Sequence, residues 1–126
     1  MTQEDKNLLL KDLCARLSYG VKGLHRGQVH KLFTIDGREE NNACIQVDSY
    51  DAWFAVDTFK PYLRPMSSMT EEETLEFVKT VIKTPDGYPI WTTDSYDWLN
   101  ERHFDYRGLI EKGLALEAPE GMYKEK

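Results

Sequence analysis

VKGLHRGQVHKLFTIDGREENNACIQVDSYDAWFAV, residues 21–56, is the stretch that decides the fold. Val21–Leu24, Val29–Ile35, Ala43–Val47 and Trp53–Val56 are short runs rich in branched and aromatic residues, the types that suit a pleated, half-buried surface. Arg26-Gly27, Asp36-Gly37-Arg38 and Asp48 to Asp51 separate them, each with the glycine, aspartate or serine that a tight turn uses. Parallel neighbours need crossovers of a dozen or more residues, and these breaks are shorter. The spacing therefore predicts an antiparallel meander over 19–63. Four or five short strands in so little chain are what a small curled sheet of the SH3-like barrel kind uses.

Outward from the strands the pattern becomes helical. Over 2–17, Leu9, Leu10, Leu13, Cys14 and Leu17 recur at spacings of three and four, with Thr2 placed to cap and Gly20 to stop the helix. That stripe predicts a buried, unpaired Cys14 thiol. On the other side, Phe59-Lys60-Pro61-Tyr62-Leu63-Arg64-Pro65 carries two prolines, which remove ladder donors and predict a connector instead of a central strand. Thr70 and Glu73 form a capping box that opens a helix running to about Lys83. Its buried face is read as Leu75, Val78 and Ile82, flanked by Phe77 and Val81, before the turn Thr84-Pro85-Asp86-Gly87. Asp94 is placed to cap a helix through about Arg102, and Asp105 to open a turn that Gly113 closes. Leu114–Leu116 reads as a final strand, with a frayed end from Gly121. The expectation is one α+β domain: a helix over 1–18, antiparallel strands over 19–63, and helices with a final strand over 64–126.

Composition narrows the function classes. The chain has 126 residues, 40% of them hydrophobic, which suits one domain with one core. A net charge of −6 argues against tight binding of duplex DNA, which rewards a basic face. The exception is Lys11 to Lys31, where Lys11, Arg16, Lys22, Arg26 and Lys31 outnumber Asp12. This stretch reads either as a solvated face or as a surface for nucleic acid. Two cysteines make no disulfide framework, and the apolar run Leu8–Leu10 is far too short for a membrane span. A cytoplasmic protein without membrane contact is expected.

The residues assemble no catalytic set. Cys14, His25, His30 and Cys44 lack the tight cysteine pair usual in structural zinc sites, so no metal is expected. There is no Gly-rich phosphate loop and no Gly-x-Ser-x-Gly elbow, so no cofactor is expected and no catalytic residue is assigned. Asp48 with Asp51, and Asp94 with Asp97, are read as turn and cap residues. The rings of Tyr50, Trp53, Phe54, Tyr88, Trp91, Tyr96 and Trp98 are read mainly as core, with one or two left for recognition. Binding is expected at the strand tips and edges, through Arg26, Asp36, Arg38, Tyr50 and Trp53.

Three blocks add a resemblance: LLLKDLCARLSYGVK (8–22), FKPYLRPMSSMTEEE (59–73) and YDWLNERHFDYRGLIEKGLALEAPEGMY (96–123). On these, the chain resembles a group of small uncharacterised proteins of gut Bacteroidales, many encoded in prophage or other mobile-element regions. The likeness covers nearly half of the chain and leaves out Gly23 to Thr58. It implies a setting, with a host or phage protein as partner, and assigns no activity and no site residue.

Overall fold

The computed structural model describes residues 1–38 and 42–123. Its frame starts at the hairpin that joins β1 (Lys22–His25) to β2 (Gln28–Asp36), with His25 opposite Gln28. Arg26 and Gly27 both have positive φ (51° and 80°), the two-residue turn whose twist matches that of the flanking strands. Next come β3 (Cys44–Val47), β4 (Phe54–Ala55) and β5 (Phe59–Pro65). With β8 (Phe104–Asp105) at the far side, the strand order is β4-β3-β2-β1-β5-β8, and β9 (Leu116–Glu117) also pairs with β5. The fold is α+β, but the sheet is open and not closed into a barrel. It is also mixed, because β5 takes β8 and β9 in parallel. The expected final strand is present, beginning at Leu116.

The Pro61–Pro65 segment is thus the most connected strand of the sheet, contrary to the connector expected. Strand donors alternate in direction, so prolines four apart remove N–H groups from one edge only. On the other edge the Arg64 N–H donates to the His103 carbonyl at 2.8 Å. The Leu63 carbonyl still accepts the Ala118 N–H at 2.7 Å.

One face of the sheet is covered by α1 (Gln3–Arg16), capped as expected by Thr2, which forms a box with Asp5. Leu9 and Leu13 enter a core with Leu32, Ile45, Val47, Phe59 and Leu63. The helix is rotated from the expected stripe. Its buried set is Leu9, Asp12, Leu13 and Arg16, and Cys14 is exposed. What burial the Cys14 thiol retains pushes its pKa up.

The second half packs around Phe77, Leu99 and Phe104. Here α2 (Glu71–Val78) stops well short of Lys83, and residues 81–83 instead form β6 (Val81–Lys83), paired with β7 (Pro89–Trp91). Thr80 ends the helix: its Oγ donates to the Phe77 carbonyl at 2.6 Å, and its own carbonyl accepts the Thr92 hydroxyl at 2.7 Å. Phe77 goes inward, while the expected buried residues Leu75, Val78 and Ile82 are exposed. The third helix, α3 (Thr93–Glu101), is capped by Thr92 with Ser95, in place of Asp94. Asp105 does hold the following turn, accepting the Leu109 and Ile110 N–H groups at 2.9 Å each.

The capping box of α2 is as read. Thr70 Oγ accepts the Glu73 N–H at 3.1 Å, and Glu73 Oε1 accepts the Thr70 N–H at 3.0 Å. Thr70→Ala should cost about 1 kcal/mol, a melting-temperature drop of about 4 °C with unchanged far-ultraviolet circular dichroism. An unaltered melt would place the helix start elsewhere. Glu73 also grips Arg64 through two 2.7 Å bonds. The guanidinium, chiefly by hydrogen bonding, holds the Glu73 carboxyl at about 2, against an ordinary 4.5. A depressed carboxyl pKa adds stability above the unfolded value and loses it as pH falls through the folded one. Stability should therefore decline between about pH 4.5 and pH 2, and Glu73→Gln should flatten that part of the acid-unfolding profile. A profile unchanged by Glu73→Gln would remove the Arg64 pair from the account.

The chain end is tied down at Tyr123. Its ring lies 4.0 Å from that of His103, and its hydroxyl accepts the Lys22 N–H at 2.8 Å. The frayed end expected from Gly121 therefore does not begin there; Lys124 to Lys126 lie outside the described residues. Among the described residues, no helix is long and apolar enough to cross a membrane.

Candidate functional site

Two regions of the sheet carry exposed aromatic, apolar or basic side chains. The first is its end at the β1–β2 turn. Period-two alternation points His25 and His30 toward the covered face, where the residues after β3 fold back over them. His25 is fully buried, with its ring centroid 4.4 Å from Phe54 and 6.1 Å from His30. Tyr50 lies 5.2 Å from His30 and completes a ring cluster with Phe54. Arg26, at the turn, sets its guanidinium 4.6 Å over the Phe54 ring. Arg26 and Tyr50, both expected binding residues, are thus brought to one end of the sheet. Trp53 lies in the same loop and is exposed.

This cluster is built to pack. The His25 Nδ1 lies 3.2 Å from the Thr58 carbonyl, which fixes the proton there and leaves Nε2 without a hydrogen-bond partner among the described residues. That nitrogen is buried among rings, out of reach of a solvent-borne substrate. His30 Nδ1 pairs with Asp48 at 3.2 Å, and Asp48 also accepts the Lys31 N–H at 3.0 Å, so this carboxylate holds the turn. No group of three or more metal-ligating side chains occurs among the described residues. An open hollow of about 180 Å³ lies elsewhere, beside Lys6, Cys44, Val56 and Asp57, with Lys6 and Asp57 paired at 3.6 Å.

Asp36 and Arg38 are at the other end of β2, about 26 Å away at the usual rise per residue. They bind each other: Arg38 Nε and Nη2 reach the two Asp36 oxygens at 3.0 and 2.9 Å. The same bonds lower the Asp36 pKa and raise that of Arg38. The rest of that loop, Glu39 to Asn41, lies outside the described residues. The five expected binding residues therefore divide between opposite ends of the sheet.

The second region is the face of the sheet turned away from α1, which the sequence reading did not single out. Lys60, Leu24 and Val29 form one row across β5, β1 and β2, and Lys22 stands opposite Lys31 in the next. Beyond them is Phe33, where the β2–β3 register slips between Leu32 and Thr34. A bulge of this kind re-aims a side chain. Phe33 is 67% exposed and Val29 51%. Among the described residues, none of Lys22, Lys31 and Lys60 has an ion-pair partner. The alternation in Val29-His30-Lys31-Leu32-Phe33 was the signal available: one phase is core, the other is apolar and basic.

The structure also divides the Lys11 to Lys31 stretch. Arg16 is fully buried and bound to Asp12, Arg26 is at the turn, and only Lys22 and Lys31 share the outer face. His103 is structural in its setting: buried, with Nε2 3.1 Å from the Tyr19 carbonyl. Burial first, and the nearby Arg16 charge second, lower its pKa to about 4. Comparison of the chain with protein-family models, with curated proteins and with solved structures found no match.

Proposed function

We propose that the chain is a non-enzymatic interaction protein, regulatory in effect and of mobile-element setting, whose docking surface is the uncovered face of its sheet. The setting rests on the resemblance of the three sequence blocks alone. The observation that carries the surface is the exposed pair Val29 and Phe33, bordered by three lysines that have no ion-pair partner among the described residues. An apolar centre with a charged rim is the usual anatomy of a protein interface, and large rings at such centres carry much of the binding energy. A host or phage protein with an apolar patch and acidic margins fits it.

Affinity purification from cells, followed by mass spectrometry and a 260/280 absorbance ratio, identifies the partner. With that partner, Phe33→Ala should weaken binding at least about tenfold, while Arg38→Ala at the far loop should leave it unchanged. The reverse pattern would move the docking surface to the loop that follows β2. Co-eluting nucleic acid that is lost on Lys31→Glu would assign the face to nucleic acid instead.

A further inference from the structure

The outer sheet face has a counterpart on the same chain. Along α2, Glu71, Leu75 and Val78 follow one another at spacings of four and three, so they share one side of the helix, with Glu72 beside them. The inward positions are Phe77, in the core, and Glu73, bound to Arg64. Leu75 is 64% exposed and Val78 52%. Among the described residues, Glu71 and Glu72 have no ion-pair partner. The side that faces away from the protein is therefore apolar along its length and acidic at its start.

We propose that a second copy of this chain is the occupant of the outer sheet face, laying the exposed side of its α2 across it. This rests on the reading of that face as a docking surface and sets a second copy of the chain there in place of a host or phage protein. Three arguments converge. A two-faced sheet with a helix on one face and exposed apolar residues on the other is completed by a helix layer on the open face. The charges match, with Lys22, Lys31 and Lys60 on one surface and Glu71 and Glu72 on the other. Both surfaces leave apolar side chains in water, and one contact removes both exposures. Because the two surfaces differ, the contact is heterologous, and its geometry gives either a closed ring or an open chain.

The test is the mass of the full chain in solution, by light scattering and sedimentation over a concentration series to about 1 mM, at low and high salt. The wild type should associate, less so at high salt. Lys31→Glu with Lys60→Glu makes the face acidic and should give a monomer. Glu71→Lys with Glu72→Lys makes the helix basic and should also give a monomer. Mixed together, these two monomers should re-associate, because each then presents the charge that the other lacks. All four positions are exposed, and circular dichroism checks that each variant is folded. A wild type that stays monomeric throughout the range overturns the inference, as does association that survives either reversal or a mixture that stays monomeric. The sheet-face reading has its separate readout in Phe33→Ala against the purified partner: a monomeric wild type with Phe33-dependent partner binding defeats only the self-docking, and Phe33-independent partner binding defeats the face. A pure monomer that gains mass only with added oligonucleotide assigns the face to nucleic acid and overturns both.

Discussion

Asp12→Ala should destabilise the protein by about 3–5 kcal/mol, the cost of leaving a buried charge without its partner. Asp12 and Arg16 are both fully buried on α1, one turn apart. Arg16 Nε and Nη2 reach the two carboxylate oxygens at 2.9 and 3.1 Å, and Arg107 Nη1 adds a third bond at 2.8 Å. One carboxylate therefore serves two guanidiniums. Without it, Arg16 keeps the Phe104 carbonyl at 2.6 Å and the face of Tyr106 at 5.6 Å, and its Nη1 already has no hydrogen-bond partner among the described residues. Neither neighbour cancels a full charge in a dry interior. The melting temperature should fall by on the order of 10–20 °C. Arg107→Ala should cost much less, because Asp12 retains Arg16 and the Arg107 side chain is partly exposed. Replacing the pair together, by Asp12→Leu with Arg16→Met, should recover most of the loss. A single-variant loss under about 1 kcal/mol would mean that water reaches Arg16.

The same pair explains where sequence reading stopped. The repeat in α1 was visible, and Leu9 and Leu13 of the expected stripe are buried, but an apolar-only stripe that also takes in Leu10, Cys14 and Leu17 turns the helix away from its true face. The buried set 9, 12, 13 and 16 has the same periodicity, and its two charges read as solvent because each is satisfied by the other. The hairpins fared better. Arg26-Gly27 carries its own backbone preference, and both residues do take positive φ. Capping boxes are equally local, so Thr70 with Glu73 was legible and correct. Non-local partners were invisible. Nothing in Phe59–Pro65 announces that β1, β8 and β9 all pair with it, since two of those partners lie at least 39 residues downstream. Thr80 ends α2 through hydroxyl contacts that depend on where Thr92 and Ser95 fold. Of the expected binding residues, Arg26 and Tyr50 do lie together, both against the Phe54 ring. The outer face was not singled out, because Val29 and Phe33 were read only as members of the strand run Val29–Ile35.

Gly23→Ala should be the most damaging single-methyl change in the sheet. Gly23 lies on β1 opposite Pro61 of β5 and His30 of β2, with its missing side chain directed at the core. A Cβ there would overlap the Phe59 ring and stand 2.6 Å from the Lys60 carbonyl oxygen. Phe59 is fully buried and packed in the main core, so its ring has little room to turn. The Lys60 oxygen is backbone in the central strand and cannot retreat without pulling β5 from β1. Overpacking of this sort costs typically 1–3 kcal/mol and more where backbone must move, so a loss of about 3 kcal/mol or above is expected. The internal control is Gly37→Ala, whose Cβ would meet, among the described residues, only Leu10, at 3.8 Å, an ordinary contact. That variant should melt within about 2 °C of the wild type. Amide exchange separates the cause from general loosening: Gly23→Ala should raise exchange first at Arg64, whose N–H bonds to β8 only while β5 holds its position. Equal melting temperatures for the two variants would mean that β5 can shift freely, and would remove the close approach of β1 and β5 as the constraint that selects glycine at this position.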